Sequence, residues 1–278
     1  MKLAISNIAW EPADEQAILG ILQSRAVQGL EIAPTKIWPV PVDVPRAELV
    51  EYRKRWSDRG IEIVAMQALL FGKPELTIFD SDSVRHQTLD YLFRIIEFAG
   101  AVGGRAMVFG SPKNRLRNTL NDEAAFEIAI PFFTELGKAA LDNGVIFCVE
   151  PNPPQYGCDF IRTVEEGCAL VSAVDHPGFR LHLDVSSMTL NGEDYGTAIR
   201  KGLPLAAHFH VSEPFLGCVG AGGVDHQTIA DILHAEQYEG WISIEMRNAC
   251  APGVSNTEAV DNALATVEKA YLSRGEAA

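Results

Sequence analysis

Short apolar runs alternate along the whole chain with longer segments in which apolar residues recur at helical spacing. Eight runs have the length and composition of buried strands: Leu3–Ile8, Gly29–Ala33, Ile61–Ala68, Ala106–Phe109, Val145–Glu150, Arg180–Asp184, Ala206–Val211 and Trp241–Met246. The intervening segments predict these helices: Ala13–Ala26, Val44–Arg59, Asp80–Ala101, Asp122–Asn143, Thr163–Val174, Tyr195–Lys201, Gln227–Ala235 and Thr257–Leu272. Such alternation is typical of parallel strands joined by helices.

Several residues mark where these elements begin and end. Gly60, Gly144 and Gly240 each stand just ahead of a predicted strand, so they are expected to be helix C-caps or turn residues. Asp122 and Thr163 stand at the starts of predicted helices and are candidate N-caps, because their side-chain oxygens can accept from free backbone N–H groups.

Eight strand–helix units predict one (β/α)8 barrel, a TIM barrel of the α/β class, spanning residues 1–278 as a single domain. The main alternative is an open doubly wound sheet, which usually has five or six strands. A glycine-rich dinucleotide fingerprint would favour that sheet, but Asn7–Trp10 follows the first strand instead. Pro34–Pro45 is expected to form a long loop on the barrel face, and the tail Arg274–Ala278 is expected to fray.

Composition narrows the range of partners. The chain is 47% hydrophobic, which is ample for a large core, and its net charge is −14. An acidic chain is poorly suited to broad electrostatic capture of nucleic acid, which needs clustered Lys and Arg. No run reaches the roughly 18 apolar residues that a membrane helix needs. We therefore expect a cytoplasmic enzyme with a small substrate and no nucleic-acid or membrane partner, and the sequence leaves a homo-oligomer open.

The five cysteines are odd in number, and no two of them have CxxC spacing. They therefore predict a reducing compartment and no disulfide framework. The N-terminus reads as a strand rather than a signal peptide, because its apolar run is short and no clear cleavage site follows it.

The strongest chemical pattern lies in the last four predicted strands. Each of them carries a potential metal ligand at or near its C-terminal end: Glu150, Asp184, His210 and Glu245. In a (β/α)8 barrel such positions converge on the mouth where active sites form. Three converging carboxylates repel one another, and a divalent cation removes that conflict. Three oxygens and one nitrogen favour Mn²⁺ or Mg²⁺, with Co²⁺ as an alternative and Zn²⁺ as a less natural one.

Four short motifs carry a resemblance to a known family: Val149-Glu150-Pro151, Leu183-Asp184-Val185, His208-Phe209-His210-Val211 and Ile244-Glu245-Met246. In this order and spacing the chain resembles the xylose-isomerase-like TIM barrel superfamily, and within it the sugar phosphate isomerase/epimerase group, related to ketohexose 3-epimerases and inosose dehydratases. The resemblance spans nearly the whole chain.

The resemblance implies that these four residues hold one divalent metal, most often Mn²⁺, and that Glu150 and Glu245 are the catalytic acid/base pair. The implied chemistry is isomerisation or epimerisation of a sugar or sugar derivative, by proton abstraction next to a carbonyl through a metal-stabilised enediolate. The alternative is a metal-dependent dehydratase or lyase acting on a cyclic keto-polyol such as an inosose or dehydroshikimate. A DNA-repair endonuclease of the same superfamily and a non-catalytic carbohydrate-binding barrel fit the sequence less well.

Three positions depart from the ketohexose 3-epimerase pattern. Tyr156 replaces a Glu, Ser187 replaces a His and Leu216 replaces an Arg, whereas the Glu that follows the His ligand is present as Glu213. The metal chemistry is unaffected by these changes, but free ketohexose 3-epimerisation is placed in doubt. Glu213 is a predicted substrate-binding residue.

Four further residues, Lys113, Arg115, Trp10 and Arg247, are predicted to bind substrate, and Trp38 is weighed beside Trp10. Lys113 and Arg115 follow the fourth strand in the most basic stretch of the chain, which would hold an anionic group or else be a solvated loop. Trp10 follows the first strand and could stack on a sugar face, as could Trp38, or both could serve in loop packing. Arg247 follows the eighth strand.

Four other features have structural interpretations. Gly217–Asp225 is expected to be a flexible loop at the barrel mouth rather than a phosphate-binding nest, with His226 capping the next helix. His182 and Cys148 are expected to fill the barrel interior, with a supporting role for His182 at the metal left open.

Overall fold

A computed structural model describes residues 1–273, and the predicted fraying of Arg274–Ala278 lies outside this part of the chain. Within it, eight parallel strands pair in sequence order and close into a barrel, since β8 pairs with β1. The strands are β1 Lys2–Ser6, β2 Gly29–Ile32, β3 Glu62–Met66, β4 Ala106–Phe109, β5 Ile146–Val149, β6 Phe179–Asp184, β7 Ala206–Ser212 and β8 Trp241–Glu245. The predicted (β/α)8 barrel is therefore confirmed.

Helices surround the barrel between the strands. Their bounds are α1 Glu15–Ser24, α2 Arg46–Ser57, α3 Asp82–Val102, α4 Asp122–Asp142, α5 Val164–Val174, α6 Val185–Asn191, α7 Tyr195–Gly202, α8 His226–Ala235 and α9 Asn256–Val267. The predictions missed α6, which follows Asp184 directly. The predicted last helix is divided, because α9 gives way to a π-helical turn at Glu268–Leu272.

The element boundaries follow from local chemistry. Thr163 is the N-cap of α5 as expected, with Oγ1 accepting from the backbone N of Glu166 at 3.2 Å. The N-cap of α4 is Asn121 rather than Asp122, which is the first residue of the helix. Gly60 and Gly144 have φ values of +78° and +69° and make the turns into the next strands, because glycine enters this region without steric cost.

The core has two parts. The main apolar cluster fills the space between barrel and helices, where Phe133 of α4 stacks on Phe179 of β6 with ring centroids 4.7 Å apart. A second, smaller cluster consists of Ala4, Val64, Ala65, Ala106 and Cys148. Cys148 is therefore packing material of the barrel, as expected.

The structure corrects the prediction for the cysteines. Cys218, in the loop after β7, forms a disulfide with Cys250, in the loop after β8, and their Cα atoms are 5.2 Å apart. Sequence spacing could not reveal the bond, because the two loops become neighbours only when β7 and β8 pair. In the described part of the chain, the other three cysteines are free and buried.

The segment Pro34–Pro45 leaves the barrel after β2 and contains two short 3-10 turns, Pro34–Lys36 and Pro41–Asp43. Trp38 within it is 9% exposed and packs edge-to-face on Tyr52 and Phe98, so it serves in loop packing. Among residues 1–273, none of the helices is both long enough and apolar enough to cross a membrane.

Candidate active site

The four predicted metal ligands stand together at the carboxyl ends of β5 to β8. Register places Asp184 at the end of β6 directly opposite His210 of β7, and Ser212 opposite Glu245 at the end of β8. Glu150 is the first residue after β5. Neighbouring parallel strands thus deliver the four side chains to one mouth of the barrel, as the strand spacing predicts.

The side chains fit a divalent cation. One ligand atom from each of Asp184, His210 and Glu245 lies within 4.8 Å of the others, and the same holds for Glu150, His182 and His210. Nδ1 of His210 is buried without a hydrogen-bond partner within residues 1–273 and lies 3.4 Å from Oε2 of Glu245. An unpaired buried nitrogen among carboxylates is the arrangement that a cation would complete.

The shifted pKa values of these side chains also indicate that the site suits a cation. Burial, together with the carboxylates of Asp184 and Glu245, raises the pKa of Glu150 to about 8. The pKa of Asp184 is also raised, by burial and by Glu245. Burial would lower the pKa of His210, but the carboxylates of Glu31 and Glu245 hold it well above its ordinary value. The site therefore favours a positive charge among its carboxylates, supplied by protons or by a cation.

Beneath this mouth, Glu31 of β2 supports His210 from inside the barrel. Nε2 of His210 lies 3.0 and 2.9 Å from the two carboxylate oxygens of Glu31. Nε2 of His208 lies 3.3 Å from Oε2, and Oγ of Ser243 donates to the same oxygen at 2.6 Å. Burial alone would raise the pKa of Glu31, but His210 and His208 outweigh it and hold that pKa well below the usual value.

The carboxylates of the predicted ligands Asp184 and Glu245 are themselves held by neighbouring residues. Asp184 caps α6, with Oδ2 accepting from the backbone N of Ser187 at 2.8 Å, and its Oδ1 accepts from the hydroxyl of Ser212. Nε2 of Gln67 donates to Oε1 of Glu245 at 2.7 Å. The site is therefore pre-arranged by hydrogen bonds from several strands.

Gly110 leaves room for the carboxylate of Glu150. A β-carbon built on Gly110, the first residue after β4, would overlap Oε2 of Glu150 and lie 3.5 Å from its carboxyl carbon. A side chain at this position would therefore force the carboxylate of Glu150 to move away from where it lies in the structure.

A cavity of about 380 Å³ opens over three of the four predicted ligands, Glu150, Asp184 and Glu245. Its wall combines carboxylates with neutral polar and apolar groups: Gln67, Ala68, Val108, Gly110, Ser111, Pro112, Glu150, Asn152, Tyr156, Asp184, Ser186, Phe215, Leu216 and Glu245. The hydroxyl of Tyr156 lies 2.6 Å from Oγ of Ser186 and accepts from the backbone N of Phe215 at 2.9 Å. These contacts tie the loop after β5 to the start of α6 and to the loop after β7 at the rim.

The five predicted substrate-binding residues lie outside this cavity wall. Trp10 is 2% exposed and belongs to the core, whereas Lys113 and Arg247 are exposed on their loops. Arg115 is fully buried, and its Nη2 donates to the backbone oxygen of Glu150 at 2.6 Å. The fifth residue, Glu213, points away into the loop after β7, and for all five direct contact with substrate stays a prediction.

Glu213 organises the loop Gly217–Asp225. Its carboxylate accepts from the backbone N of Gly220 at 3.2 Å and of Val224 at 3.3 Å, and it lies 3.2 Å from Nε2 of His226. The N-cap of α8 is Asp225, so the prediction that His226 caps this helix is wrong. His226 is buried and instead links Glu213 to the hydroxyl of Tyr271.

His182 lies one layer below Asp184 on β6, as expected, and is fully buried. Its ring centroid is 4.1 Å from that of His210, and within residues 1–273 both of its ring nitrogens are buried without a hydrogen-bond partner. Burial, with His210 and His208 nearby, holds its pKa well below the ordinary value.

Sequence reasoning missed part of the site. Glu31 stands out in the sequence only as a residue near a strand end, although a carboxylate within the apolar run Gly29–Ile32 is the signal of a buried partner. Ser186 and Phe215 line the cavity and carried no signal, because serine and phenylalanine are ordinary in loops and helix starts.

Comparison with known proteins shows which family and which enzymes this chain is similar to. The family model described as xylose isomerase-like TIM barrel matches residues 21–270. L-ribulose 3-epimerase of Mesorhizobium japonicum is 29% identical over 249 residues, covering 88% of this chain and 80% of that protein. A probable ketose 3-epimerase of Synechocystis sp. is 26% identical over 261 residues, covering 89% of this chain and 85% of that protein. The crystal structure of a D-psicose 3-epimerase in the presence of D-fructose shares the fold, with a TM-score of 0.82, 20% identity, and coverage of 98% and 99% of the two chains.

Proposed function

We propose, from the premise that this chain belongs to the xylose isomerase-like TIM barrel family, that it is a divalent-metal-dependent epimerase or isomerase of a small keto sugar. The observation that carries the proposal is the pairing of Glu150 and Glu245 across one cavity, with Asp184 and His210 between them in the strand order. The similarity to ketose 3-epimerases supports the same reaction class.

Glu150, Asp184, His210 and Glu245 would hold the cation through three carboxylates and one imidazole. Oxygen-rich sets of this kind suit Mn²⁺ best, although Mg²⁺, Co²⁺ and Zn²⁺ are compatible with them. When bound, the cation would polarise the substrate carbonyl and stabilise negative charge on its oxygen.

The two glutamates would carry the proton. One carboxylate removes the proton from the carbon beside the carbonyl, which leaves an enediolate, and the other returns a proton to the opposite face. Glu150 and Glu245 are suited to this because they come from β5 and β8, three places apart in the ring. Gln67 fixes one oxygen of Glu245, and Arg115 holds the backbone at Glu150.

The cavity wall favours an uncharged substrate. Among residues 1–273, those that line it include no Lys or Arg, whereas three carboxylates face into it. A phosphate group would meet negative charge without a compensating cation from the protein. Tyr156 and Leu216, which replace a Glu and an Arg of the ketohexose 3-epimerase pattern, both stand in this wall, and this argues against assigning a free ketohexose.

The test is a substrate panel in deuterated water with added Mn²⁺. It would include free ketopentoses and ketohexoses, a 3-keto-glucoside, an inosose and 3-dehydroshikimate. Epimerisation predicts an inverted product one mass unit heavier through solvent deuterium, whereas loss of water would assign the lyase alternative. Absence of exchange and turnover across the panel, with Mn²⁺ shown to be bound, would count against the proposed reaction.

A further inference from the structure

The geometry points to Glu31 as the residue that sets which nitrogen of His210 is offered to the metal: we propose that Glu31 holds the proton on Nε2 and leaves Nδ1 free as the ligand atom. This makes Glu31 a positioning residue, because it acts through His210 and lies below the cavity. The inference rests on the proposed metal site.

The first step is the direction of the hydrogen bonds. A carboxylate only accepts, so the contacts of 3.0 and 2.9 Å between Glu31 and Nε2 of His210 require a proton on Nε2. The remaining nitrogen, Nδ1, lies 3.4 Å from Oε2 of Glu245, on the side of the predicted ligands. A metal binds a nitrogen lone pair, and Nδ1 is the nitrogen that this arrangement leaves available.

The second step is the surroundings of Glu31. The residue is fully buried, as are His210 and Ser243, and it receives a second imidazole from His208 and a hydroxyl from Ser243. Three donors on one carboxylate satisfy the buried charge and fix its orientation. Since His208 and His210 are on β7 and Ser243 is on β8, Glu31 of β2 reaches across the barrel to hold the strands that carry two of the ligands.

The third step is what a carboxamide at this position would do. The side chain introduced by Glu31→Gln has one acceptor oxygen for three donors, and its amide N–H group needs an acceptor of its own. Nε2 of His210 is one of the groups within reach that can accept, and an amide that donates to it would move the proton of the neutral ring to Nδ1. A metal would then have to displace that proton, so Glu31→Gln should weaken binding by more than the loss of one contact.

The first experiment uses the unmodified protein. ¹⁵N-histidine spectra would be recorded without metal and with Zn²⁺, which is diamagnetic, and the His210 signals assigned by their absence from a His210→Asn spectrum. The expected result is that Nε2 stays protonated in both states and that Zn²⁺ shifts only the Nδ1 signal. A shift of Nε2 on binding, or an unprotonated Nε2, would overturn the proposal. Complete absence of Zn²⁺ binding would instead count against the metal site.

The second experiment measures Mn²⁺ and Zn²⁺ affinity by competition with a chromophoric chelator. Glu31→Gln is expected to weaken affinity about 10- to 100-fold, the usual effect of removing an outer carboxylate partner. The matched control is Glu213→Gln, because Glu213 is a second buried carboxylate paired with an imidazole but contacts no predicted ligand. Equal affinity of Glu31→Gln and wild type, with both folded by circular dichroism, would overturn the assignment. If Glu31→Gln does not fold, the spectra of the wild type decide the question.

Discussion

Gln67 donates a hydrogen bond from Nε2 to Oε1 of Glu245 over 2.7 Å, and so holds one oxygen of this carboxylate. The other oxygen, Oε2, lies 3.4 Å from Nδ1 of His210, among the predicted ligands. Gln67 follows β3 and lines the cavity, so it approaches Glu245 from across the barrel mouth. The hydrogen bond therefore fixes Oε1 of Glu245 in place and leaves Oε2 available for the predicted reaction.

We expect Gln67→Ala to lower kcat about 10- to 100-fold at saturating Mn²⁺. A hydrogen bond to a charged group contributes about 1.5–3 kcal/mol, and about 1.4 kcal/mol corresponds to a tenfold change in rate. Gln67→Glu should cost more, because a fourth carboxylate would face Glu245. Steady-state kinetics on the substrate identified by the panel would measure both variants, and a wild-type kcat for Gln67→Ala would contradict the role given to this contact.

The convergence of the four predicted ligands on one mouth could be predicted because barrel geometry repeats along the sequence. Glu150, Asp184, His210 and Glu245 recur about once per strand–helix unit, and parallel strands bring such positions to one mouth. No detailed packing is needed for that inference. The same reasoning explains why all eight strands were found within a few residues of their true bounds.

The rest of the site depends on contacts between distant segments. Glu31 and His210 are 179 positions apart, and they meet only after the barrel closes, beside a shift in strand register between Leu30 and Glu31. Phe215 and Leu216 line the cavity with φ values of +61° and +57°. Positive φ is uncommon for bulky residues, so their residue types could not predict it. Local patterns carry no information about such pairings or about backbone strain at a loop.

Glu150→Gln and Glu245→Gln should each abolish epimerisation while the protein stays folded. A two-base reaction needs one carboxylate for removal of the proton and the other for its return. Each variant keeps one of the two carboxylates. The epimer whose proton this remaining carboxylate removes can still exchange that proton with solvent. Deuterium wash-in measured from each epimer separately would therefore assign a face to each glutamate, and turnover within tenfold of wild type in either variant would remove that residue from the mechanism.

Chelation should abolish activity and lower the thermal midpoint by several degrees, with both restored by Mn²⁺. Binding at 100 times the dissociation constant stabilises a protein by about 2.7 kcal/mol, and each kcal/mol shifts the midpoint of a protein of this size by about 2–4 °C. Glu150→Gln is the informative comparison, because Asp184 and Glu245 repel Glu150 when no cation is present. Its metal-free midpoint should lie above that of wild type and respond less to Mn²⁺. Activity that survives exhaustive chelation would exclude a metal-dependent reaction.

Reduction of the bond between Cys218 and Cys250 should destabilise the loops after β7 and β8. The bond closes a segment of 32 residues, and disulfides of natural proteins typically contribute about 2–4 kcal/mol. Thermal unfolding with and without dithiothreitol would measure the effect in protein purified in air. The Cys218→Ser/Cys250→Ser double variant is the control and should not respond to dithiothreitol. Five free thiols in the unreduced wild type would show that the bond does not form in solution.

Gly110→Ala should disable the site without unfolding the barrel. The added β-carbon would overlap Oε2 of Glu150, and the carboxylate would have to turn away from the cavity to make room. We expect kcat to fall at least tenfold and Mn²⁺ affinity to weaken, because Glu150 is both a predicted ligand and a predicted proton carrier. Gly20→Ala is the matched control: its β-carbon meets no atom within 4 Å inside α1, where alanine is favoured by up to about 1 kcal/mol. A Gly110→Ala enzyme with wild-type kcat and Mn²⁺ affinity would mean that Glu150 works from another position.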